Sequence, residues 1–299
     1  MTFAKQLKSE LCEIGRMPLH CRRALLYGLL SSCREVWSAQ PCYRTTLEGA
    51  ALLTQRLLRE LFGKKTELQP LRRGPAAHWL IPLPAEEFGP ILDELLVGDP
   101  LNRDVIHNEC CLRTFFRGVF ITSGSMSDPE RGYYIDMTLP TPAYRDRLVE
   151  LLSQQGVEMK KSTRSGNPVT YTKESSTIED LLTLTGAAKY TLELINVKIY
   201  KELRNNANRA ANCEAANIDK QVAAAAKQCE DIRFLGEKVG LEGLPPQLEA
   251  VAHLRLAHPE LSLTELAAIA DFPISKSGLC HRLSKLTAMA EELRQQQSR

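Results

Sequence analysis

No run of about 18 consecutive apolar residues occurs in this 299-residue chain, so it offers no candidate for a membrane-spanning helix. The opening segment MTFAKQLKSELCEIGR lacks the continuous apolar stretch of a signal peptide. It alternates charge with apolar residues and reads as an amphipathic first helix. The nine cysteines are odd in number and contain neither a CxxC pair nor a Cys/His set at ligand spacing. Cys110 and Cys111 are adjacent and are expected on different faces of a helix. Reduced, mostly structural thiols in a cytosolic compartment follow, and structural zinc is disfavoured. No GxxxxGK[ST] or GxGxxG sequence occurs, which removes the usual grounds for nucleotide hydrolysis or Rossmann-type cofactor binding. None of the six histidines joins a visible Ser/His/Asp or Cys/His constellation. No catalytic residue, metal ligand or cofactor is therefore expected. Charge of one sign is also lacking: 38 Lys and Arg against 36 Asp and Glu leave a net +2, which neither demands nor excludes nucleic acid. Local clustering has to decide.

What is present is enough chain for two domains with separate cores, at an ordinary 43% hydrophobic and 25% charged residues. The strongest internal signal is a weak duplication with a period of about 90 residues. The first copy opens with an apolar helix around CRRALLYGLLSSC (Cys21 to Cys33), followed by a hairpin and a helix in LEGAALLTQRLLRELFG. A basic strand around KKTELQPLRR, a strand around HWLIPL and a helix in FGPILDELL complete it. The second copy repeats the order: CCLRTFFRGVFITSG (Cys110 to Gly124), strand YYIDMTLP, helix AYRDRLVELLSQQG, basic strand VEMKKSTR, strand PVTYTK and a helix in TIEDLLTLTG. Alternation in the strands, helical periodicity elsewhere and the turn at Ser165-Gly166-Asn167-Pro168 support these assignments. The order predicts α+β units with helices on one sheet face.

From Tyr190 to roughly Gly236 the chain is continuously helix-favouring, without proline or glycine. It suits one long helix, or two with a break near Asn205, Asn206, Asn208 and Asn212, which weaken helix propensity. The domains expected are 1–205 (repeats about 1–105 and 106–205), a linker helix over 206–240 and a tail over 241–299 beyond the loop GLEGLPP.

The tail reads as three short helices. The first, QLEAVAHLRLAH, carries an apolar stripe at Leu248, Val251, Ala252 and Leu254 and stops at Pro259. The second opens on a capping box, Ser262 to Glu265, and has Leu263, Leu266, Ala267 and Ala270 on one face. After the turn Asp271-Phe272-Pro273-Ile274, Ser275 caps the third, SKSGLCHRLSKL. At 100° steps Leu279, Leu283 and Leu286 form a narrow buried stripe, while Ser277, His281, Ser284 and Lys285 face outward. Lys276 and Arg282 flank the stripe and extend outward, and Gly278 in the first turn permits close backbone approach. This is the pattern of a helix-turn-helix motif over about 262–294 whose third helix enters the major groove of double-stranded DNA. Its expected DNA-binding set is Ser275, Lys276, Ser277, Gly278, His281, Arg282, Ser284 and Lys285, with bases meeting phosphates or guanine edges.

The two motif helices resemble the LAGLIDADG element of homing endonucleases, as Leu26-Tyr27-Gly28-Leu29-Leu30-Ser31-Ser32-Cys33-Arg34 and Phe116-Arg117-Gly118-Val119-Phe120-Ile121-Thr122-Ser123-Gly124. The packing glycines, Gly28 and Gly118, match that family. Its metal-binding acids do not: their positions hold Cys33 and Ser123, a poor site for Mg²⁺, so cleavage by that route is not expected. The helices are expected to persist as a seam between repeats. Arg34 replaces the last glycine of the first motif, which bears on the hairpin geometry of that copy. Together with CCLRTFFRGVFITSGSMSDPERGY, RAANCEAANIDKQVAAAAKQ, HPELSLTELAAI and SKSGLCHRLSKL, the whole chain resembles the WhiA family of sporulation and cell-division regulators. The resemblance implies a duplicated LAGLIDADG-like α+β domain, a linker helix and an all-α helix-turn-helix domain. It implies a cytoplasmic, nucleoid-associated DNA-binding protein, not an enzyme, that regulates transcription or serves division and chromosome segregation, with other transcription regulators as further partners. An active metal-dependent nuclease and a scaffold whose helix-turn-helix docks protein remain alternatives, as does a small-molecule sensing role for the repeats. Oligomeric state and target sequence are not legible.

Other basic residues read either way. Lys64, Lys65, Arg72 and Arg73, with Lys160, Lys161, Arg164 and Lys173, either line a saddle for duplex DNA or are simply solvated, the commoner fate of surface charges. On the connector, Arg204, Arg209 and Lys220 either meet phosphates or, as the plainer reading, pair with Glu202, Glu214 and Asp219. For His281 a base-edge or phosphate contact is preferred to metal binding or catalysis.

Overall fold

The computed structural model describes residues 2–13, 15–73, 76–96 and 101–297, and the chain divides into two units, Met1–Lys201 and Glu202–Arg299. In the first unit the elements run α1 (Phe3–Cys12), α2 (Leu19–Ser31), β1 (Cys42–Thr45), α3 (Glu48–Phe62), β2 (Gln69–Arg73), β3 (Ala76–Pro82) and α4 (Ala85–Leu96). The second copy follows as α5 (Glu109–Ser123), β4 (Gly124–Met126), β5 (Ile135–Thr138), α6 (Pro142–Ser153), β6 (Lys160–Arg164), β7 (Asn167–Thr172) and α7 (Ser175–Thr185). The α+β class expected from alternation and helical periodicity is the one observed. The amphipathic opening segment is α1, with Leu7 and Leu11 buried.

Helix α2 is buried all round from Ala24 to Ser31, and such a helix has to sit at the centre of a core. Its partner is α5, which buries Phe115, Phe116, Gly118, Val119 and Phe120. The two meet backbone to backbone at Gly28 and Gly118. A Cβ on Gly28 would lie 2.3 Å from the Phe115 carbonyl oxygen, and one on Gly118 would lie 2.5 Å from that of Leu25. The residue pairs 28/118, 25/115 and 29/119 share one offset, so the seam is a pseudo-two-fold contact between like positions of the repeats. Tyr27 stacks on Phe115 with centroids 5.2 Å apart.

Each repeat wraps its own antiparallel sheet around this seam, and the sheets differ. The second has four strands in the order β4-β5-β7-β6, the first only three, β1-β3-β2. The hairpin expected after the first motif helix is therefore absent. A 3-10 turn over Arg34–Trp37 stands in its place, and β1 alone joins the sheet, pairing with β3. Arg34 stands there in place of the glycine of the second copy. At the equivalent position Gly124 begins β4 with a Cβ site only 2.4 Å from the Phe120 ring, so a side chain there would have to displace that ring. The β6–β7 hairpin closes through Ser165 (φ 48°) and Gly166 (φ 77°), consecutive left-handed residues suited to a two-residue hairpin loop.

Helix α8 (Ala188–Val239) is continuous over 52 residues, with no break at the asparagines. Asn205, Asn206, Asn208 and Asn212 are exposed, so their side chains are solvated instead of competing for the backbone.

The second unit adds α9 (Pro246–Ala257), α10 (Leu263–Ile269) and α11 (Lys276–Gln297). Its core joins Ile232 and Leu235 of α8 to Leu244, Leu248, Val251, Ala252, Leu266, Leu279, Leu283 and Leu286. Helix α10 starts on the expected capping box: Ser262 Oγ accepts from the Glu265 N–H (3.3 Å) and Glu265 Oε2 from the Ser262 N–H (2.9 Å). Such a cap contributes about 1 kcal/mol. Its hydrogen bonds hold the Glu265 carboxyl below the usual glutamate range, so the cap's support is present at neutral pH and fades as acid protonates the group.

Candidate nucleic-acid interface

The third helix of the tail, α11, is fixed from beneath. Leu279, Leu283 and Leu286 are 0%, 0% and 1% exposed, forming the inward stripe that the heptad-like spacing predicts. Ser275 caps the helix by accepting from the Gly278 N–H at 3.2 Å, and its hydroxyl also lies 3.0 Å from that of Ser277. Lys276, Ser277, His281, Ser284 and Lys285 are exposed together with Ser275, while Gly278 and Arg282 are half-buried. Arg282 donates to Gln247 Oε1 on α9 at 3.3 Å, so its guanidinium is steered along the outer face of the motif. Cys280 is exposed as well and is absent from the expected set.

Two further residues position the helix, and periodicity did not flag either. Asp231 on α8 is buried and accepts from Arg294 Nη1 at 2.6 Å, and the Arg294 guanidinium lies 4.7 Å from the centre of the Phe234 ring. This ties α11 to the last turns of α8. A fragment beginning near Gln247, at the start of α9, would lose Asp231, Ile232, Leu235 and Leu244 from its core. We expect Arg294→Met to keep the packing on Phe234 but to strand the Asp231 carboxylate, at a cost of about 3 kcal/mol. Far-ultraviolet circular dichroism in urea reads that loss. Fluorescence does not, because both tryptophans, Trp37 and Trp79, belong to the first unit.

The basic strands of the first unit are largely committed elsewhere. Lys160 pairs with Glu174 (3.6 Å), Lys161 with Asp146 (3.3 Å), Arg164 with Asp136 (2.9 Å) and Lys64 with Glu87 (3.6 Å). Lys65 and Lys173 are exposed, and the side chains of Arg72 and Arg73 lie outside the described residues. On α8 the expected pairing fails: Arg204, Arg209 and Lys220 are exposed, and among the described residues none forms an ion pair with Glu202, Glu214 or Asp219. On this fully exposed stretch of helix such pairs gain too little to offset the entropy of ordering them.

At the C-terminal ends of the two motif helices, where a LAGLIDADG nuclease holds its metal, the side chains are turned into the protein. Cys33 is buried and accepts from the Arg44 N–H at 3.4 Å, and burial pushes its thiol up to about 12. Ser123 donates to the Val119 carbonyl at 2.8 Å. Asp136, buried on β5 across from Ser125, is held by Arg164 and Tyr134.

The opposite, N-terminal ends of the same helices overturn an expectation from the sequence. His20, Cys21, Cys110 and Cys111, ninety positions apart in pairs, place one ligand-type atom each within 4.8 Å of all the others. Cys110 is exposed and Cys111 buried, as adjacent residues on different faces of a helix should be, yet from the first turn of α5 both thiols reach the same group. A Cys/His cluster exists after all. No spacing rule finds it, since it forms between repeats.

The tail geometry and the duplicated motif helices have their counterpart in known proteins. Residues 207–290 match the model of the WhiA C-terminal HTH domain, and residues 112–204 match that of the WhiA LAGLIDADG-like domain. The chain belongs to the WhiA family. It is 37% identical to the probable cell division protein WhiA of Lachnoclostridium phytofermentans, over 99% of this chain and 100% of that one. It is 33% identical to the protein of the same name in Carboxydothermus hydrogenoformans, over 98% of each. The crystal structure of full-length DUF199/WhiA from Thermatoga maritima has the same fold, with a TM-score of 0.62 at 21% identity, covering 98% of this chain and 99% of that one. No helix among the described residues is long and apolar enough to cross a membrane.

Proposed function

We propose that the chain is a sequence-specific regulator of cell division that binds double-stranded DNA through α11, acting at the nucleoid in the cytoplasm, on transcription or on chromosome segregation. The observation that carries this reading is the division of α11 into a buried leucine stripe and an exposed ridge of Ser277, His281, Ser284 and Lys285 beside Lys276. A helix held rigidly from below, with hydroxyls, an imidazole and ammonium groups above, suits major-groove readout: the lysines neutralise phosphates while Ser284 and His281 reach base edges. The name carried by relatives aligned over nearly the whole chain supports the link to division. Chromatin immunoprecipitation of the full chain is expected to return discrete peaks sharing a sequence, and a profile without such peaks would overturn the specific reading.

Cleavage is not part of this function. The positions that would hold Mg²⁺ carry a buried thiol and a hydroxyl bonded to its own helix, neither of which is a hard anionic ligand. Supercoiled plasmid incubated with the protein and Mg²⁺ or Mn²⁺ should stay intact.

A further inference from the structure

We infer that His20, Cys21, Cys110 and Cys111 form a structural zinc site joining the N-terminal ends of the two motif helices. His20 Nδ1 lies 3.1 Å from Cys111 Sγ and 3.3 Å from Cys21 Sγ, and the four atoms lie within 4.8 Å of one another. Around a tetrahedral zinc, with Zn–S near 2.3 Å and Zn–N near 2.0 Å, ligand atoms stand roughly 3.5–3.8 Å apart. The set therefore needs only small side-chain rotations to close on an ion. Three thiolates and one imidazole form a closed, soft donor set that selects zinc over magnesium or calcium and leaves no position for substrate.

Two independent features favour an ion there. Helices α2 and α5 run parallel through the glycine seam, so both N-termini converge on the cluster. Neither Pro18 nor Asn108, the residues preceding the helices, supplies a side-chain cap. Unsatisfied N–H groups and the positive ends of two helix dipoles stabilise the single net negative charge that three thiolates and a dication leave. The ligands also divide as the architecture needs: Cys21 and Cys111 are buried, while His20 and Cys110 are exposed and open a path for entry. The ion would sit at the end of the helix pair opposite Cys33 and Ser123, where it fastens one repeat to the other.

Full-length protein, reduced and stripped with chelator, is titrated with Zn²⁺ against a chromophoric competitor and, separately, with Co²⁺. The expected result is one equivalent bound, a Co²⁺ spectrum with thiolate charge-transfer and tetrahedral d–d bands, and a Tm that rises with zinc. Because Cys21 and Cys111 are buried, the variants are His20→Ala and Cys110→Ser at the exposed ligands, checked for folding by circular dichroism. Each is expected to weaken zinc binding by about 100-fold. Cys213→Ser, an exposed thiol on α8 outside the cluster, should leave it unchanged. Stoichiometric binding that survives both ligand variants, absence of tight binding by the reduced parent, or a disulfide among the three cysteines in protein kept anaerobic would each overturn the assignment.

Discussion

Gly28→Ala is expected to destabilise the first unit by at least about 3 kcal/mol, although alanine is the better helix former by about 1 kcal/mol. The added Cβ would meet the Phe115 carbonyl oxygen at 2.3 Å and the Val119 nitrogen at 3.0 Å. These are backbone atoms of the facing helix, which no rotamer change can move aside. Relief requires α2 and α5 to separate, and every side chain interdigitated along the seam, Tyr27 against Phe115 among them, then loses contact. Gly118→Ala should behave the same way, because its Cβ meets Leu25 O at 2.5 Å and Leu29 N at 2.8 Å. Fluorescence of Trp37 and Trp79 in urea follows this unit. A control at Gly132, which has open space around its Cβ and no positive φ, should be close to neutral. If Gly28→Ala unfolds at the parent midpoint, the backbone contact is not what fixes the seam.

The second large effect concerns DNA. Removing both ammonium groups by Lys276→Ala and Lys285→Ala is expected to weaken duplex binding about 100-fold near 0.1 M salt and to reduce the slope of log K against log salt by about 2. Both residues are exposed on α11, so the fold should be unaffected. Fluorescence anisotropy with labelled duplex at several salt concentrations measures both quantities. His281→Ala, by contrast, should alter which duplexes are preferred more than the salt slope, because an imidazole on the exposed ridge can hydrogen-bond to base edges. Unchanged affinity and slope in the double variant would mean that the ridge of α11 faces a protein partner.

Most of the architecture was legible because it repeats simple periodicities. The leucine stripe at 279, 283 and 286 and the Ser262–Glu265 box each follow from one local rule and each appears in the structure, as do the paired strands of both copies. The misses arise where the outcome depends on contacts between distant segments. The first-copy hairpin was expected after its motif helix, yet Arg34, where the second copy has Gly124, opens a 3-10 turn instead. The Cys/His cluster was invisible because its members lie in two repeats and meet only after α2 and α5 pack. The Asp231–Arg294 tie was missed because helix propensity alone marked α8 as a connector and said nothing about what its final turns bury.

That last tie has a consequence for protein engineering. Transplanting the reading head into another scaffold, or exchanging it between relatives to make chimeras, cannot succeed at the junction that the loop before α9 suggests. The graft has to carry the stem with the head, with its splice placed upstream of Ala225, where α8 is still solvated on every side.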